Sequence, residues 1–181
     1  MNRLNFTITF HSPFRVALGH GGNGAHDAVD IEDALPATSL KGVMRATAKT
    51  LLGTRNSVID EVFGSSATPS PWKWSSARPV GDWHPVKPAA RVRIDEETGA
   101  ASEKMLVLAE QTGAERANFT ITRIGRVEPQ DLPTHEAVLV VAAQATRSLG
   151  AWRRRGMGWV GIDCDREPDE QMVTRFLELK A

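Results

Sequence analysis

This sequence of 181 residues has very little cysteine, and that scarcity already removes several classes of protein. Its only cysteine, Cys164, excludes an internal disulfide and a cysteine-based zinc site. No run approaches the roughly 20 apolar residues that a membrane-spanning helix requires. Residues 1–10 alternate polar and apolar side chains, whereas a secretory signal peptide has a continuous apolar core. We therefore expect a cytoplasmic chain in a reducing compartment.

The sequence also lacks an excess of either charge, with 22 basic and 22 acidic residues. A protein that holds nucleic acid through phosphate contacts alone is usually basic overall. Binding to nucleic acid would therefore require a local basic patch. The chain has no nucleophile elbow, no Walker loop and no His-Glu-x-x-His motif, so the common hydrolase and nucleotide-binding signatures are missing.

Hydrophobic residues make up 41% of the chain, and their spacing predicts alternating strands and helices. Residues 4–10 have the alternation of a half-buried strand, and a segment rich in Gly, His and Asp follows over 11–36. Thr38 or Ser39 can cap a helix that ends at Gly53. The other predicted elements are helices over 57–63, 133–149 and 168–179, and strands over 92–95, 105–108, 119–124 and 159–162.

The order of these elements indicates the fold class. Residues 69–88 contain five prolines and three of the five tryptophans, so they are not expected to be helical. Strand, helix, strands, helix, strand is typical of an α+β sandwich of the ferredoxin-like or RRM-like kind. We predict one domain over 1–181, with a β-rich insertion at about 65–110 that includes a hairpin.

Two segments carry the residue types that bind phosphates. The helix start at 35–45 combines a hydroxyl cap with basic side chains, and helix N-termini attract anions. The loop at 148–160 combines glycines, three arginines and two tryptophans, which suit close backbone approach, phosphate contacts and base stacking. Taken alone, each is also compatible with an ordinary capped helix and an ordinary surface loop. The candidate residues for these phosphate, backbone and stacking contacts are Ser39, Lys41, Arg45, Gly150, Trp152, Arg153, Arg154, Arg155, Gly156 and Gly158.

The long segment after the first strand is a third candidate. It contains His11, His20 and His26, and several carboxylates among which are Asp27 and Asp30. Such side chains can bind a metal ion or transfer protons, but their spacing matches no tight metal-binding motif. A solvated acidic loop is the alternative interpretation. Cys164, at the end of the last predicted strand, is interpreted as a core residue.

In identity and order, four segments resemble the RAMP (repeat-associated mysterious protein) superfamily of CRISPR-associated proteins. Leu-Pro-Ala-Thr-Ser-Leu-Lys-Gly at 35–42 resembles its helix start, with Ala37 and Thr38 where the family has Gly and Ser. Val-Phe-Gly at 62–64 resembles its apolar-Phe-Gly stop. Residues 93–101 with 108–110 resemble its central segment, and 149–158 resemble its glycine-rich loop.

Within the superfamily, the likeness is greatest to the backbone subunit of type III CRISPR effector complexes. That resemblance implies a subunit that binds guide RNA, uses a hairpin as a thumb, and assembles with other effector subunits and copies of itself. It also implies metal-dependent cleavage of target RNA, with Mg²⁺ or another divalent cation. Asp27 takes the catalytic role, in the context Gly-Ala-His-Asp-Ala-Val, while Asp30 and Asp33 are rival placements. The metal ligands are not assigned.

Three alternatives remain open at this point. The chain can be a RAMP scaffold that binds RNA without cutting it, so its status as an enzyme is undecided. It can be a guide-processing endonuclease that uses a histidine such as His11 and no metal. Outside the family, it can be a small protein-interaction domain whose tryptophans anchor an interface.

Overall fold

A computed structural model describes residues 3–17, 28–92, 94–102 and 105–180 of the chain. The described elements run in the order β1 (Arg3–Phe10), α1 (Ala37–Leu52), α2 (Ser57–Phe63), β2 (Trp72–Trp74), β3 (Arg78–Pro79), β4 (Lys87–Arg91), β5 (Val107–Gln111), β6 (Arg116–Arg123), α3 (Leu132–Ala145), β7 (Val160–Cys164) and α4 (Glu170–Glu178). A short 3₁₀ helix, Arg153–Arg155, lies between α3 and β7.

The main sheet is antiparallel and has the strand order β2-β6-β1-β7, with β3 also paired to β6. The chain forms two β–α–β units, β1–α1–β2 and β6–α3–β7, and in each unit one strand of the other unit lies between the two strands. This is the βαββαβ arrangement of the ferredoxin-like fold. The helices α1 and α3 pack against each other, and α4 packs on α3. The predicted α+β, ferredoxin-like fold class is confirmed.

The core lies between this sheet and the helices. Leu4, Phe6 and Ile8 alternate with exposed or half-exposed neighbours on β1, and all three are almost fully buried. Phe6 is paired with Phe119 on β6, and their rings stack with centroids 4.8 Å apart. Alternation of apolar side chains with period 2 therefore places one face of the sheet against the helices and leaves the other uncovered.

The start of α1 differs from the prediction. The helix begins at Ala37, so Thr38 and Ser39 lie inside its first turn. Its N-cap residue is Pro36, whose side chain makes no capping hydrogen bond. The hydroxyl of Ser76 instead accepts a hydrogen bond from the backbone N–H of Ala37 at 3.3 Å. The predicted Thr38 or Ser39 cap is wrong because a residue distant in sequence satisfies the exposed donor.

The end of α3 also differs, since the helix stops at Ala145 and not near Gly150. Thr146 adopts an extended conformation, and its hydroxyl bonds to the Ala142 carbonyl at 2.8 Å and lies 3.0 Å from the Thr47 hydroxyl. The next residues pair with the chain before β7, as in the Ser148–Trp159 bridge. Sheet pairing therefore takes the backbone groups that a longer helix would use.

The insertion forms a two-stranded antiparallel sheet of β4 and β5, paired from Lys87–Gln111 to Arg91–Val107. The strands predicted at 92–95 and 105–108 are displaced, because the regular pairing lies nearer the base of the hairpin. Beyond it, only the bridge Ile94–Ala101 is formed in the described residues, around a turn that Asp95 stabilises through bonds from Glu97 and Thr98. We call residues 87–111 the hairpin. The limits of the domain and insertion stay a prediction.

Cys164 is buried, and its burial raises the pKa of the thiol to about 11, so it is protonated at neutral pH. No helix in the described ranges is long and apolar enough to cross a membrane.

Candidate functional site

The first turns of α1 and the glycine-rich loop meet in space. They line one cavity, to which α1 contributes Ser39, Gly42, Val43 and Ala46, the loop contributes Gly150, Ala151 and Arg153, and the segment after β1 contributes Val16 and Ala17. Two segments that are more than 100 residues apart in sequence thus form the two walls of one groove. We call this groove the α1–loop cavity.

Lys41 and Arg45 lie in a second groove on the other side of α1. Its lining includes Lys41, Gly42 and Arg45 together with residues that follow α2, such as Gly64 and Ser70. Gly42 is shared by both grooves, so α1 forms a ridge between them. The predicted RNA-binding residues therefore do not converge on one cavity, although all of them lie on this ridge or in the loop beside it.

The environments of Lys41 and Arg45 are unequal. The ammonium of Lys41 lies 5.3 Å from the centroid of the Trp74 ring, and partial burial, then the nearby Arg45 charge, lower the pKa of Lys41. Arg45 is paired with Asp60, with 2.6 Å between Nη2 and Oδ1, and its Nε has no hydrogen-bond partner among the described residues. Lys41 is thus the freer cation for a phosphate.

Two glycines of the loop are required by close packing against backbone, of the segment after β1 for Gly150 and of the loop itself for Gly158. The N–H of Gly158 donates to the Pro13 carbonyl at 2.7 Å, and a Cβ at Gly158 would lie 1.9 Å from the Leu149 oxygen. A Cβ at Gly150 would lie 2.1 Å from the Arg15 oxygen. Gly156, by contrast, has a φ of +79° and open space around it. Gly150 and Gly158 are therefore explained by the fold itself, before any ligand is considered.

Trp152 has the only positive φ of any non-glycine residue in the described ranges, at 58°. Its ring lies between sequence-distant cations, with the Arg15 guanidinium carbon 4.8 Å and the Arg91 guanidinium carbon 5.5 Å from the ring centroid. Contacts of this kind are attractive because the ring face carries negative charge. The ring of Trp152 thus connects the loop to the hairpin through Arg91.

The three arginines of the 3₁₀ helix are exposed and line a further depression with Ser148 and Trp152. Within the described part of the chain, no carboxylate forms an ion pair with Arg153, Arg154 or Arg155. Their charges are therefore available to an anionic ligand. The chain as a whole is neutral, but this corner is basic.

The predicted catalytic residue, Asp27, lies outside the described residues, as do His20, His26 and Arg93. Of its rivals, Asp30 accepts hydrogen bonds from the backbone of Glu32 and Asp33, which gives it a structural role in a turn. The Oδ1 of Asp33 is shielded and has no hydrogen-bond partner in the described ranges. Nowhere in those ranges do three or more His, Cys, Asp or Glu side chains form a metal-binding group.

Sequence reasoning missed Arg15 and Arg91. Arg15 is 2% exposed, and its Nε donates to the Glu110 carbonyl at 3.2 Å, so it ties the segment after β1 to β5. Arg91 belongs to the hairpin. Neither residue lies in a motif, and their common partner Trp152 is far from both in sequence, so no local signal marks them.

Comparison with known proteins gives one family and one fold. The model of the RAMP superfamily matches residues 7–161. A chain in a cryo-EM structure of type III-B Cmr-beta bound to cognate target RNA matches with a TM-score of 0.60 and 15% identity, over 90% of this chain and 60% of that one. This chain therefore spans less than two thirds of that neighbour's length. A chain in the apo state of type III-B Cmr-beta matches with a TM-score of 0.65 and 10% identity, over 91% and 98% of the two chains. No curated protein matches.

Proposed function

This chain belongs to the RAMP superfamily, and we propose that it is an RNA-binding subunit of a type III CRISPR effector complex. The observation that carries the proposal is the α1–loop cavity with its basic rim. It brings a helix start and a glycine-rich loop together beside three exposed arginines that form no ion pair with another described residue, and phosphates bind to such combinations of backbone and charge.

The proposed ligand is guide RNA, held along its backbone. Lys41 and the arginines of the 3₁₀ helix supply the charge, while Gly42 leaves space over α1 where a phosphate or ribose can approach. The protein then recognises backbone and shape, and sequence is read by pairing of the guide with target RNA. The fold shared with Cmr-beta subunits, one of them in a structure with target RNA, supports this assignment.

The hairpin is the proposed thumb. It has several exposed apolar side chains, namely Val92, Ile94, Met105 and Leu106. Apolar side chains of this kind can insert between stacked bases. Other effector subunits, including copies of this chain, are the proposed protein partners.

Cleavage of target RNA by Asp27 is the finer part of the proposal. RNA carries its own nucleophile, the 2′-hydroxyl, so an enzyme needs only to position it and to manage a proton and charge. A carboxylate of Asp27 would orient that hydroxyl or accept its proton. When bound, Mg²⁺ or another divalent cation supplies charge neutralisation at the phosphate. The described residues hold no group of three or more His, Cys, Asp or Glu side chains for such an ion, and its ligands are left unassigned.

The test is cleavage of complementary target RNA by the guide-loaded assembly with magnesium. Asp27→Ala should abolish cutting and leave RNA binding intact, whereas the matched control Asp82→Ala, on an exposed loop, should leave both unchanged. Unchanged cutting by Asp27→Ala would favour the scaffold alternative. Cutting that survives EDTA would favour a metal-independent endonuclease.

RNA binding itself is tested separately on the purified chain. Arg153→Glu should weaken the binding of single-stranded RNA, and Arg55→Glu, an exposed arginine between α1 and α2, should not. If the wild-type chain has no salt-dependent RNA affinity and never assembles with guide RNA, the proposed function is wrong.

A further inference from the structure

One face of the main sheet is covered by no described element. On β1 and β6 the buried side chains alternate with polar ones that point away from the helices. The pairing of the strands then sets these polar residues side by side, as in Thr7 with Asn118 and Thr9 with Arg116. We call this surface the open sheet face. Its members are Arg3, Asn5, Thr7, Thr9, His11, Lys73, Arg78, Arg116, Asn118, Thr120, Thr122, Trp159, Gly161 and Asp163.

An aromatic pair lies at one end of the open sheet face. Trp159 is 59% exposed, and its ring centroid is 4.7 Å from that of His11. The N–H of His11 donates to the Trp159 carbonyl at 2.9 Å, which makes the two residues cross-strand neighbours. The side chain of His11 leans over Gly161, where a Cβ would lie 3.7 Å from Nε2. An exposed indole fixed by a second ring is a surface on which a base can stack.

The charges on the open sheet face are mainly basic and unpaired. Arg3, Lys73 and Arg116 form no ion pair with any other described residue. Asp163 is the acidic side chain among the members, and the neighbouring Asp165 is engaged by the backbone and side-chain amides of Asn5 at 3.2 and 2.6 Å. Although the chain is neutral, this face therefore has an excess of positive charge that suits a polyanion.

Hydroxyl and amide groups lie between Arg116, which is near the aromatic pair, and Arg3 and Lys73 at the far end of the face. The Thr7 hydroxyl donates to the Asn118 side-chain oxygen at 3.0 Å, so these groups are held in place. Groups of this kind can bond to base edges and to ribose hydroxyls. Among its members, Trp159 is the large apolar side chain and most of the others are polar or charged, which favours a polar, extended ligand over a protein partner.

We propose that the open sheet face is a binding surface for single-stranded RNA, distinct from the α1–loop cavity. A base stacks on Trp159 beside His11, and Arg116, Lys73 and Arg3 contact the phosphates that follow. Duplex RNA is excluded because its bases are already stacked and cannot lie on the indole. This surface is additional to the proposed function, and its residues differ from those that line the α1–loop cavity.

The experiment uses the full chain and a labelled oligouridylate of about 12 nucleotides, within the usual range of site sizes. Trp159→Ala should lower the affinity about tenfold, which corresponds to the loss of one stacked base. Trp159→Phe should keep most of the affinity because it keeps a ring. Leu177→Ala removes an apolar side chain on α4 that is also 59% exposed, and it should leave the RNA affinity unchanged.

A second arm separates the two surfaces. In a Lys41→Glu, Arg153→Glu background, the residual binding should still depend on Trp159, and 4-thiouridine in the RNA should crosslink to Trp159 or His11. If that background loses all RNA binding, or crosslinks map only to α1 and to residues 148–155, the inference is wrong. If those two substitutions have no effect but Trp159→Ala does, the proposed α1–loop site fails and the open sheet face stands.

A third outcome concerns protein partners. If Trp159→Ala alters self-association in sedimentation while RNA affinity is unchanged, the face is an interface between proteins and the inference is overturned. Circular dichroism of each variant checks folding, and the high exposure of Trp159 makes a folding defect unexpected.

Discussion

Gly42 occupies a helical position where glycine weakens the helix. It is exposed in α1, it borders both grooves, and a Cβ added to it would meet nothing within 4 Å. Neither backbone conformation nor packing among the described residues therefore requires a glycine there. The missing side chain leaves room for the close approach of a ligand.

Gly42→Ala should consequently separate stability from binding. We expect the free energy of unfolding to rise by about 0.5–1 kcal/mol, because alanine is the better helix former. RNA affinity should fall, because the methyl group occupies the space above α1. Urea denaturation and RNA titration measure the two effects, and Thr50→Ala, on an exposed position later in α1, should leave RNA affinity unchanged. Unaltered RNA affinity in Gly42→Ala would contradict the proposed use of this space.

Gly150 and Gly156 form a matched pair, since both have φ near +77°, at 76° and 79°. Gly150→Ala would bring a Cβ to 2.1 Å from the Arg15 oxygen, whereas Gly156→Ala meets no atom. We expect Gly156→Ala to cost about 1–2 kcal/mol from backbone strain alone. Gly150→Ala should cost about 1–3 kcal/mol more from the clash. Denaturant unfolding checks the difference, and equal costs would show that the loop can move away from Arg15.

His135 is a buried titratable group of α3. The Trp72 indole N–H donates to its Nδ1 at 3.1 Å, and burial lowers the pKa of His135 against the smaller, opposing influence of Glu61 and Asp131. His135 therefore binds a proton less readily in the folded state than in the unfolded state, where its pKa is near 6.5. The contribution of His135 to the free energy of unfolding is therefore fully present above the pKa of the unfolded state and is lost as the pH falls below that value.

The matching experiment measures the free energy of unfolding at about three pH values between 7.5 and 5.5. This window lies above the pH range in which carboxylates titrate. The free energy of unfolding of the wild type should fall toward pH 5.5. His135→Gln keeps an acceptor for Trp72 but cannot titrate, so its pH dependence should be smaller. Identical pH profiles for the two proteins would show that His135 does not control this transition.

At the scale of elements, contacts from both of its strands hold the hairpin against the rest of the molecule. Its strand β4 carries Arg91 onto the ring of Trp152, and β5 carries the Glu110 carbonyl that accepts from Arg15. Trp152 and Arg15 belong to the loop and to the segment after β1, so these contacts fasten the proposed thumb to the rim of the α1–loop cavity. Loss of one contact should loosen the hairpin without unfolding the sheet.

Arg91→Gln tests this fastening. We expect faster amide hydrogen exchange over 87–111, with β1 and β6 as well protected as before, because the guanidinium over Trp152 is lost. Lys87→Gln, at the other end of β4, is the control and should leave exchange in the hairpin unaltered. Exchange in Arg91→Gln equal to the wild type would mean that the strand pairing alone holds the hairpin.

The elements with a strong local pattern were predictable from the sequence. Alternation of apolar side chains predicted β1 and β6, and Gly53 and Gly64 predicted the ends of α1 and α2. Each of these signals lies within a few residues of the chain. The cap of α1 by Ser76 and the early end of α3 could not be predicted. Both depend on hydrogen bonds between residues distant in sequence, which no local pattern encodes.

The candidate site shows the same division. Motifs identified both walls of the α1–loop cavity, but sequence gave no sign that Lys41 and Arg45 face a different groove. It also assigned Trp152 to stacking on RNA, whereas the ring already contacts two arginines. The open sheet face was missed because threonine, asparagine and arginine on alternate strand positions resemble any solvated surface until the strands are paired.

At the scale of the whole molecule, neutral net charge and RNA binding are compatible only if the charges are segregated. Among the residues that the structure describes, basic side chains without an ion-pair partner lie at the 3₁₀ helix and on the open sheet face, while ion pairs such as Arg126–Glu128 are on other surfaces. RNA affinity should therefore depend on a few phosphate contacts and not on overall attraction.

The salt dependence of RNA affinity measures how many contacts there are. For single strands the slope of log K against log salt is about −0.7 per phosphate contact, so Arg154→Gln should reduce its magnitude by about 0.7. Arg126→Gln, at a residue that is 88% exposed but paired with Glu128, should leave the slope unchanged although it removes the same charge. Equal reductions in the two variants would mean that net charge governs binding, and local segregation would then be the wrong explanation.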